Sequence, residues 1–184
     1  MLYLNTIVLV CGCNNSGKTT TIQSFFQNHY ESCFNRWRFY HKIVDGMDIY
    51  AVSLSSPQEK EKFCVLGDVK DNLSFRTGNC DRVANGRPYV LVIPYGIYEN
   101  EDRDRLNEDC FLKPIEWLQK EKGYKVYPWY LRKSRTTKQA QKDALARKVC
   151  MDEITTTPED YNKSSVLEKI VKRLIAEREL SPES

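Results

Sequence analysis

The fold turns on the stretch Thr6-Ile7-Val8-Leu9-Val10-Cys11-Gly12-Cys13-Asn14-Asn15-Ser16-Gly17-Lys18-Thr19-Thr20. Thr6 to Val10 is a continuous β-branched and aliphatic run, the composition of a strand buried on both faces in a parallel sheet. It breaks into a loop bounded by Gly12 and Gly17, and from Lys18 to His29 the apolar residues Ile22, Phe25 and Phe26 recur at helical spacing. Strand, glycine loop and helix in succession predict an α/β unit with the loop at the carboxyl end of the strand.

Outward from this unit, Arg38 to Val44 and Asp48 to Leu54 are β-prone and meet at Asp45-Gly46, a dipeptide suited to the positive backbone angles of a hairpin turn. Ser56-Pro57-Gln58-Glu59 combines a hydroxyl cap, a proline at the first helical position and a glutamate three residues on, which predicts a helix from about Pro57. Val69 to Arg87 mixes helical and turn signals and reads as loop with a short helix. Tyr89 to Ile93 is a second buried strand, with Pro94 and Gly96 marking its end.

The acidic segment from Glu99 to Asp109 reads as a solvated loop leading into a helix from Phe111 to Lys122, with Gly123 as its C-cap. Tyr124 to Leu131 gives a third core strand, placed toward an edge or at a bulge by Pro128. Helices follow from Thr137 to Met151 and from Ser165 to Glu179, the latter carrying Val166, Leu167, Ile170, Val171, Leu174 and Ile175 on one stripe. The expected architecture is one domain over residues 1–180 with a tail at 181–184. It is a three-layer α/β sandwich, its sheet mainly parallel with an antiparallel hairpin strand, and Thr6 to Val10 beside Tyr89 to Ile93 at its centre.

Composition agrees with a folded domain. The 184 residues are 41% hydrophobic and 29% charged, far from the depleted hydrophobicity of disordered chains. No apolar run approaches the roughly 20 residues that cross a bilayer, and the first residues lack the pattern of a signal peptide. Cys11, Cys13, Cys33, Cys64, Cys80, Cys110 and Cys150 are odd in number and form no C-x-x-C pair, so free thiols in the cytoplasm are expected. A net charge of +3 does not by itself point to a polyanionic partner.

Gly12 to Thr19 fits G-x-x-x-x-G-K-[ST] at every fixed position. Glycines let the backbone fold so that successive N–H groups point inward, and a helix starting near Lys18 adds its positive end, which together make a nest for phosphate. In this pattern Lys18 reaches the β- and γ-phosphates and the Thr19 hydroxyl ligates magnesium. From Thr6 to His29 the chain resembles the P-loop NTPase superfamily. The resemblance implies a nucleoside triphosphate held with Mg2+ by Gly12, Asn14, Asn15, Ser16, Gly17, Lys18, Thr19 and Thr20, with Lys18 and Thr19 serving catalysis. ATP is expected, with GTP not excluded. Asn162-Lys163 lacks the aspartate of the guanine-reading N-K-x-D pattern, and Leu54-Ser55-Ser56-Pro57-Gln58 lacks the glycines of the L-S-G-G-Q signature.

P-loop enzymes usually add an acidic residue near the magnesium at a neighbouring strand end, and neither strand supplies one outright. Ser55 and Ser56 after Leu54, Glu59 one turn later, and Asp68 at the end of a possible strand from Phe63 are the candidates. Ser56 and Glu59 can equally cap a helix. Arg132 and Arg135 follow the third core strand and can reach the base or γ-phosphate. They belong to a basic segment, 125–148, that can instead meet a nucleic acid, a protein partner or only solvent. His29 and His41 are too isolated for a metal site. The functional expectations are a small magnesium-dependent ATPase acting with a partner, a kinase for a nucleotide, polynucleotide or small metabolite, or a nucleotide-binding module without turnover.

Overall fold

A computed structural model describes residues 5–27, 30–34, 37–58, 65–97, 99–100, 105–133 and 139–179. The strands are β1 (Thr6–Gly12), β2 (Tyr30–Phe34), β3 (Trp37–Val44), β4 (Met47–Val52), β5 (Tyr89–Gly96), β6 (Glu99–Asn100), β7 (Arg105–Leu106), β8 (Lys125–Lys133) and β9 (Asp152–Thr156). The helices are α1 (Lys18–Phe26), α2 (Leu66–Ala84), α3 (Glu108–Lys120), α4 (Gln139–Arg147) and α5 (Ser164–Glu179).

Seven strands form one sheet in the order β2-β3-β4-β5-β1-β8-β9. The pairs from β4 through β9 are all parallel, and β2-β3-β4 are antiparallel. The hairpin turn between β3 and β4 places Asp45 and Gly46 at φ 46° and 78°, the angles the Asp-Gly dipeptide predicts. β1 and β5 are the expected central neighbours.

Every residue of β1 is buried, and its side chains alternate between two cores. Ile7, Leu9 and Cys11 join Leu73, Phe111, Leu118 and Leu145, the core under α2, α3 and α4. Val8 and Val10 join Ile22, Phe26, Leu167 and Val171, the core under α1 and α5. A side-chain period of two thus builds the two outer layers of a three-layer sandwich. β1 leaves the sheet toward one face through α1, whereas its neighbours β5 and β8 connect through α3 and α4 on the other. The chain therefore splits at the carboxyl end of β1, the kind of switch point where open α/β sheets make a crevice.

Several expectations are corrected. Residues 66–84 form one helix of 19 residues rather than a loop with a short helix. Pro94 lies inside β5, which continues to Gly96; β4 pairs with β5 only from Tyr89 to Leu91, so a missing N–H farther along disturbs no second ladder. Pro128 lies inside β8, an interior strand. The register to β9 starts at Trp129, one residue later, which explains how the proline is tolerated. Pro114 sits within α3 and cannot donate to the carbonyl of Cys110 four residues back. The buried Tyr95 hydroxyl donates there instead, at 3.2 Å, and to the Phe111 carbonyl at 3.0 Å. Part of the acidic segment pairs as the short ribbon β6-β7. The helix expected from Pro57 is absent at Pro57 and Gln58, which form a turn, and the rest of that expectation lies outside the described residues.

Candidate functional site

Loop 12–19 turns at the carboxyl end of β1 with Asn15 and Gly17 in left-handed conformations, φ 56° and 89°. Alternation of left- and right-handed residues points consecutive backbone N–H groups to one side. Among the described residues no side chain caps α1, so its first-turn N–H groups lack the side-chain acceptor that usually satisfies them. The loop bounds a concave pocket of about 170 Å³ lined by residues 14–20. A helix N-terminus with unbonded backbone N–H groups is a feature that attracts anions.

Both glycines are required by space. A Cβ on Gly12 would lie 2.2 Å from Ser16 Oγ and 3.0 Å from the Leu131 carbonyl oxygen. At Gly17 it would lie 2.5 Å from the Tyr161 carbonyl oxygen. The same Tyr161 carbonyl accepts from the Thr21 hydroxyl at 3.1 Å, and that hydroxyl accepts the Lys163 N–H at 3.1 Å. The connection between β9 and α5 thus clamps the start of α1. Asn162 beside it is exposed, and its side chain caps Ser164.

Lys18 is buried, and its ammonium donates to the carbonyls of Gly12 (3.0 Å) and Cys13 (2.8 Å). Ser16 Oγ is fully buried and has no hydrogen-bond partner among the described residues. A buried hydroxyl left unbonded is costly and marks a place where a polar group fits. Asn14, Asn15, Thr19 and Thr20 are exposed on the rim. Burial pushes the Cys11 thiol well above its ordinary range, reinforced by the neighbouring Cys150, so it stays protonated beneath the loop.

The Thr19 hydroxyl donates to the carbonyl of Leu54 at 3.0 Å, which brings segment 53–58 beside the loop. Ser53 has φ 65°, and its hydroxyl lies 3.0 Å from that of Ser55. The Ser55 carbonyl accepts from the fully buried Arg76 of α2 at 2.7 Å. Ser56 Oγ is buried without a partner among the described residues. Gln58 accepts the Gly96 N–H at 3.1 Å, and Gly96 is register partner of Gly12.

Of the acidic candidates, Asp68 is corrected: it lies in the first turn of α2, exposed to solvent, and not at a strand end, where a carboxylate would face the loop. Glu59 and Arg135 lie outside the described residues. Arg132 is part of β8, and its guanidinium pairs with buried Asp143 at 2.9 Å; Tyr130 and Gln139 donate to the same carboxylate at 2.8 and 2.6 Å. Other cations of the basic segment are also matched by acids outside it: Arg147 with Glu153, six residues on, Lys148 with Glu108, and Lys125 with Glu177. Much of the apparent basic patch is therefore locally neutralised.

A larger groove of about 340 Å³ lies between β9 and α5, lined by Trp129, Ile154, Val166 and Ile170 with Asp152 and Arg173 at its rim. Two of its charged residues are paired with each other, since Arg173 and Tyr127 both bond Asp152, while Glu153 and Lys169 also line it. Loop 12–19, with converging donors, is the better candidate despite its smaller size. No helix among the described residues is long and apolar enough to cross a membrane.

The fold defines an α/β protein with a mostly parallel sheet, and loop 12–19 lies at the carboxyl end of its strand β1. A scan against family models and a search of curated proteins both found no match.

Proposed function

We propose that the chain binds a nucleoside triphosphate, with ATP preferred, through loop 12–19, and that it hydrolyses the nucleotide as a small ATPase acting with a partner. The observation that carries this reading is the joint placement of Gly12, Ser16, Gly17 and Lys18. The two glycines let the chain's own atoms close in where a Cβ would collide, a buried hydroxyl lacks a partner among the described residues, and a buried ammonium that lines the loop's pocket rests on the loop's own carbonyls. Backbone N–H groups and the helix end bind the phosphate oxygens, and Lys18 shifts from carbonyl to phosphate partners.

Magnesium fits this site, because the Thr19 hydroxyl is held by Leu54 with its lone pairs available to a cation. When bound, the ion neutralises charge on the β- and γ-phosphates. Thr19 would hold it, with Ser55 next to the Leu54 carbonyl that receives the Thr19 hydroxyl. Phosphate release from ATP and from GTP, with nucleotide titration of wild type and Lys18→Ala, tests the reading. Turnover and binding lost in the variant support it, and absence of binding in the wild type overturns it.

A second reading, nucleotide binding without turnover, draws on the same Thr19 contact. A carbonyl rather than a carboxylate receives the hydroxyl proton, leaving the metal side of the site with less negative charge than P-loop enzymes usually supply. Binding with no phosphate release, alone or with candidate acceptors, would favour it over both the ATPase and a kinase.

A further inference from the structure

We propose that Gln58 is the residue by which this chain distinguishes a triphosphate from a diphosphate, its side-chain amide donating to an oxygen of the γ-phosphate. The inference rests on the nucleotide reading of loop 12–19. It begins from a buried polar group whose hydrogen bonding is incomplete. Gln58 is 5% exposed; its Oε1 accepts the Gly96 N–H, and its Nε2 has no partner among the described residues. Tying segment 53–58 to β5 would need only the acceptor oxygen. A buried amide nitrogen carrying two unused donors is a cost such a tie does not require.

The place of that amide points to its ligand. Gly96 is the register partner of Gly12, and the next residue, Ile97, donates its N–H to the Gly12 carbonyl at 3.1 Å. That carbonyl also receives the Lys18 ammonium. Gln58, the end of β5, Gly12 and Lys18 are thus linked by successive hydrogen bonds across two adjacent strand ends. Ser16 Oγ and Ser56 Oγ are also buried without a partner among the described residues, the first lying close to Gly12 and the second two residues before Gln58. Within the nucleotide reading Lys18 meets the β- and γ-phosphates; Gln58, held on the Gly96 N–H opposite Gly12, sits at the strand ends that carry a carbonyl partner of that lysine, which assigns its amide to the terminal phosphate rather than the base or sugar. An amide offers donors to an anion without a charge of its own, which favours recognition of one oxygen over general attraction of phosphate.

The placement also explains how the state of the nucleotide reaches the rest of the fold. Segment 53–58 holds the Thr19 hydroxyl through Leu54, the Arg76 guanidinium of α2 through Ser55, and β5 through Gln58. A contact made only by a triphosphate therefore acts on a segment joined to α1, α2 and β5 together.

The test is titration of the wild type, Gln58→Met and Gln58→Glu with ADP and with the β,γ-imido analogue of ATP, both with magnesium, alongside thermal melting. Met keeps the side chain's length and removes both polar atoms; Glu keeps the acceptor for Gly96 but puts a carboxylate in place of the donors, whose charge acts against both nucleotides, so it is read by the ratio of analogue to ADP affinity. The expected result is a loss of about tenfold to a hundredfold in analogue affinity relative to ADP for both variants, the size of one hydrogen bond to a charged acceptor, with ADP affinity within about twofold of wild type in Gln58→Met. Equal loss of both nucleotides in Gln58→Met, with the ratio in Gln58→Glu near wild type, would make Gln58 a structural tie and overturn the proposal alone. If Gln58→Met does not fold, Gln58→Glu decides by the same ratio. Wild type that binds neither nucleotide overturns the nucleotide reading and this proposal with it.

Discussion

The hydroxyl of Thr19 donates to the backbone carbonyl of Leu54 at 3.0 Å, joining the first turn of α1 to the segment just beyond β4. A hydroxyl whose proton is held by a carbonyl keeps its lone pairs directed elsewhere, which is the arrangement a metal ligand needs. The acceptor is main chain, so no change of side chain at position 54 removes it. The carboxylate sought in the sequence near this position has a polar counterpart that only the fold reveals.

Thr19→Val, similar in shape but without the hydroxyl, is expected to remain folded and to lose about 0.5–1.5 kcal/mol of stability, the net value of one hydrogen bond. It should also lose the enhancement of ATP binding by magnesium, while Thr19→Ser retains it. Titrations with and without magnesium measure this directly. An unchanged magnesium dependence in Thr19→Val would remove Thr19 from the metal site.

Gly17 combines two demands that can be separated by comparison with Gly86. Gly86 has φ 81° and open space within 4 Å of where a Cβ would lie, whereas Gly17 has φ 89° and its Cβ would meet the Tyr161 carbonyl oxygen at 2.5 Å. Gly86→Ala should therefore cost about 1 kcal/mol, the left-handed penalty alone. Gly17→Ala should cost about 2–4 kcal/mol, because the backbone of the β9–α5 connection must also move. Urea unfolding of the two variants decides it, and equal costs would show that the Tyr161 contact yields freely.

What could be read from sequence was local. The β1 run, the Asp45-Gly46 turn and the α5 stripe each carry their signal within a few residues, and each corresponds to an element of the structure. α2 was hidden because its buried face is interrupted by polar residues: Arg76 and Thr77 are buried beside Val69, Leu73 and Cys80. Thr77 satisfies its hydroxyl on the Leu73 carbonyl, and Arg76 reaches Ser55. β9, Asp-Glu-Ile-Thr-Thr, is mostly exposed and depends on pairing with β8, information that its own residues do not contain. In the site, the glycines, Lys18 and Thr19 formed a contiguous pattern. The contributions of Leu54, Gln58, Gly96 and Tyr161 arise from contacts across as many as 140 residues, as between Thr21 and Tyr161.

The carboxylate of Asp143 gathers Tyr130, Arg132 and Gln139 inside the α4 side of the sheet. Asp143→Ala would leave these donors facing a buried gap and should destabilise by about 2–4 kcal/mol. Arg132 is partly exposed, so Arg132→Gln should cost less, about 1 kcal/mol, and leave ATP affinity within about twofold of wild type. Denaturant unfolding with nucleotide titration checks both. A tenfold loss of ATP affinity in Arg132→Gln would instead restore Arg132 as a nucleotide ligand.

Four tyrosine hydroxyls make the fold sensitive to alkali. Burial raises the pKa of Tyr89, Tyr124, Tyr127 and Tyr130, with bonds to Asp81 supporting the shift at Tyr89, to Asp152 at Tyr127 and to Asp143 at Tyr130. Tyr127 is pushed up to about 12. A phenol in the unfolded chain ionises near pH 10. Between that pH and the folded value, the unfolded state has released protons that the folded state still holds. Stability must then fall as pH rises, and the tyrosine contribution is complete below about pH 10. Urea midpoints should accordingly decline above about pH 10, and Tyr89→Phe should flatten that decline. Phenolate absorbance from these residues should grow together with loss of the far-ultraviolet circular dichroism signal. Ionisation of all the tyrosines near pH 10 with the dichroism signal intact would show that these hydroxyls are open to solvent and would sink the prediction.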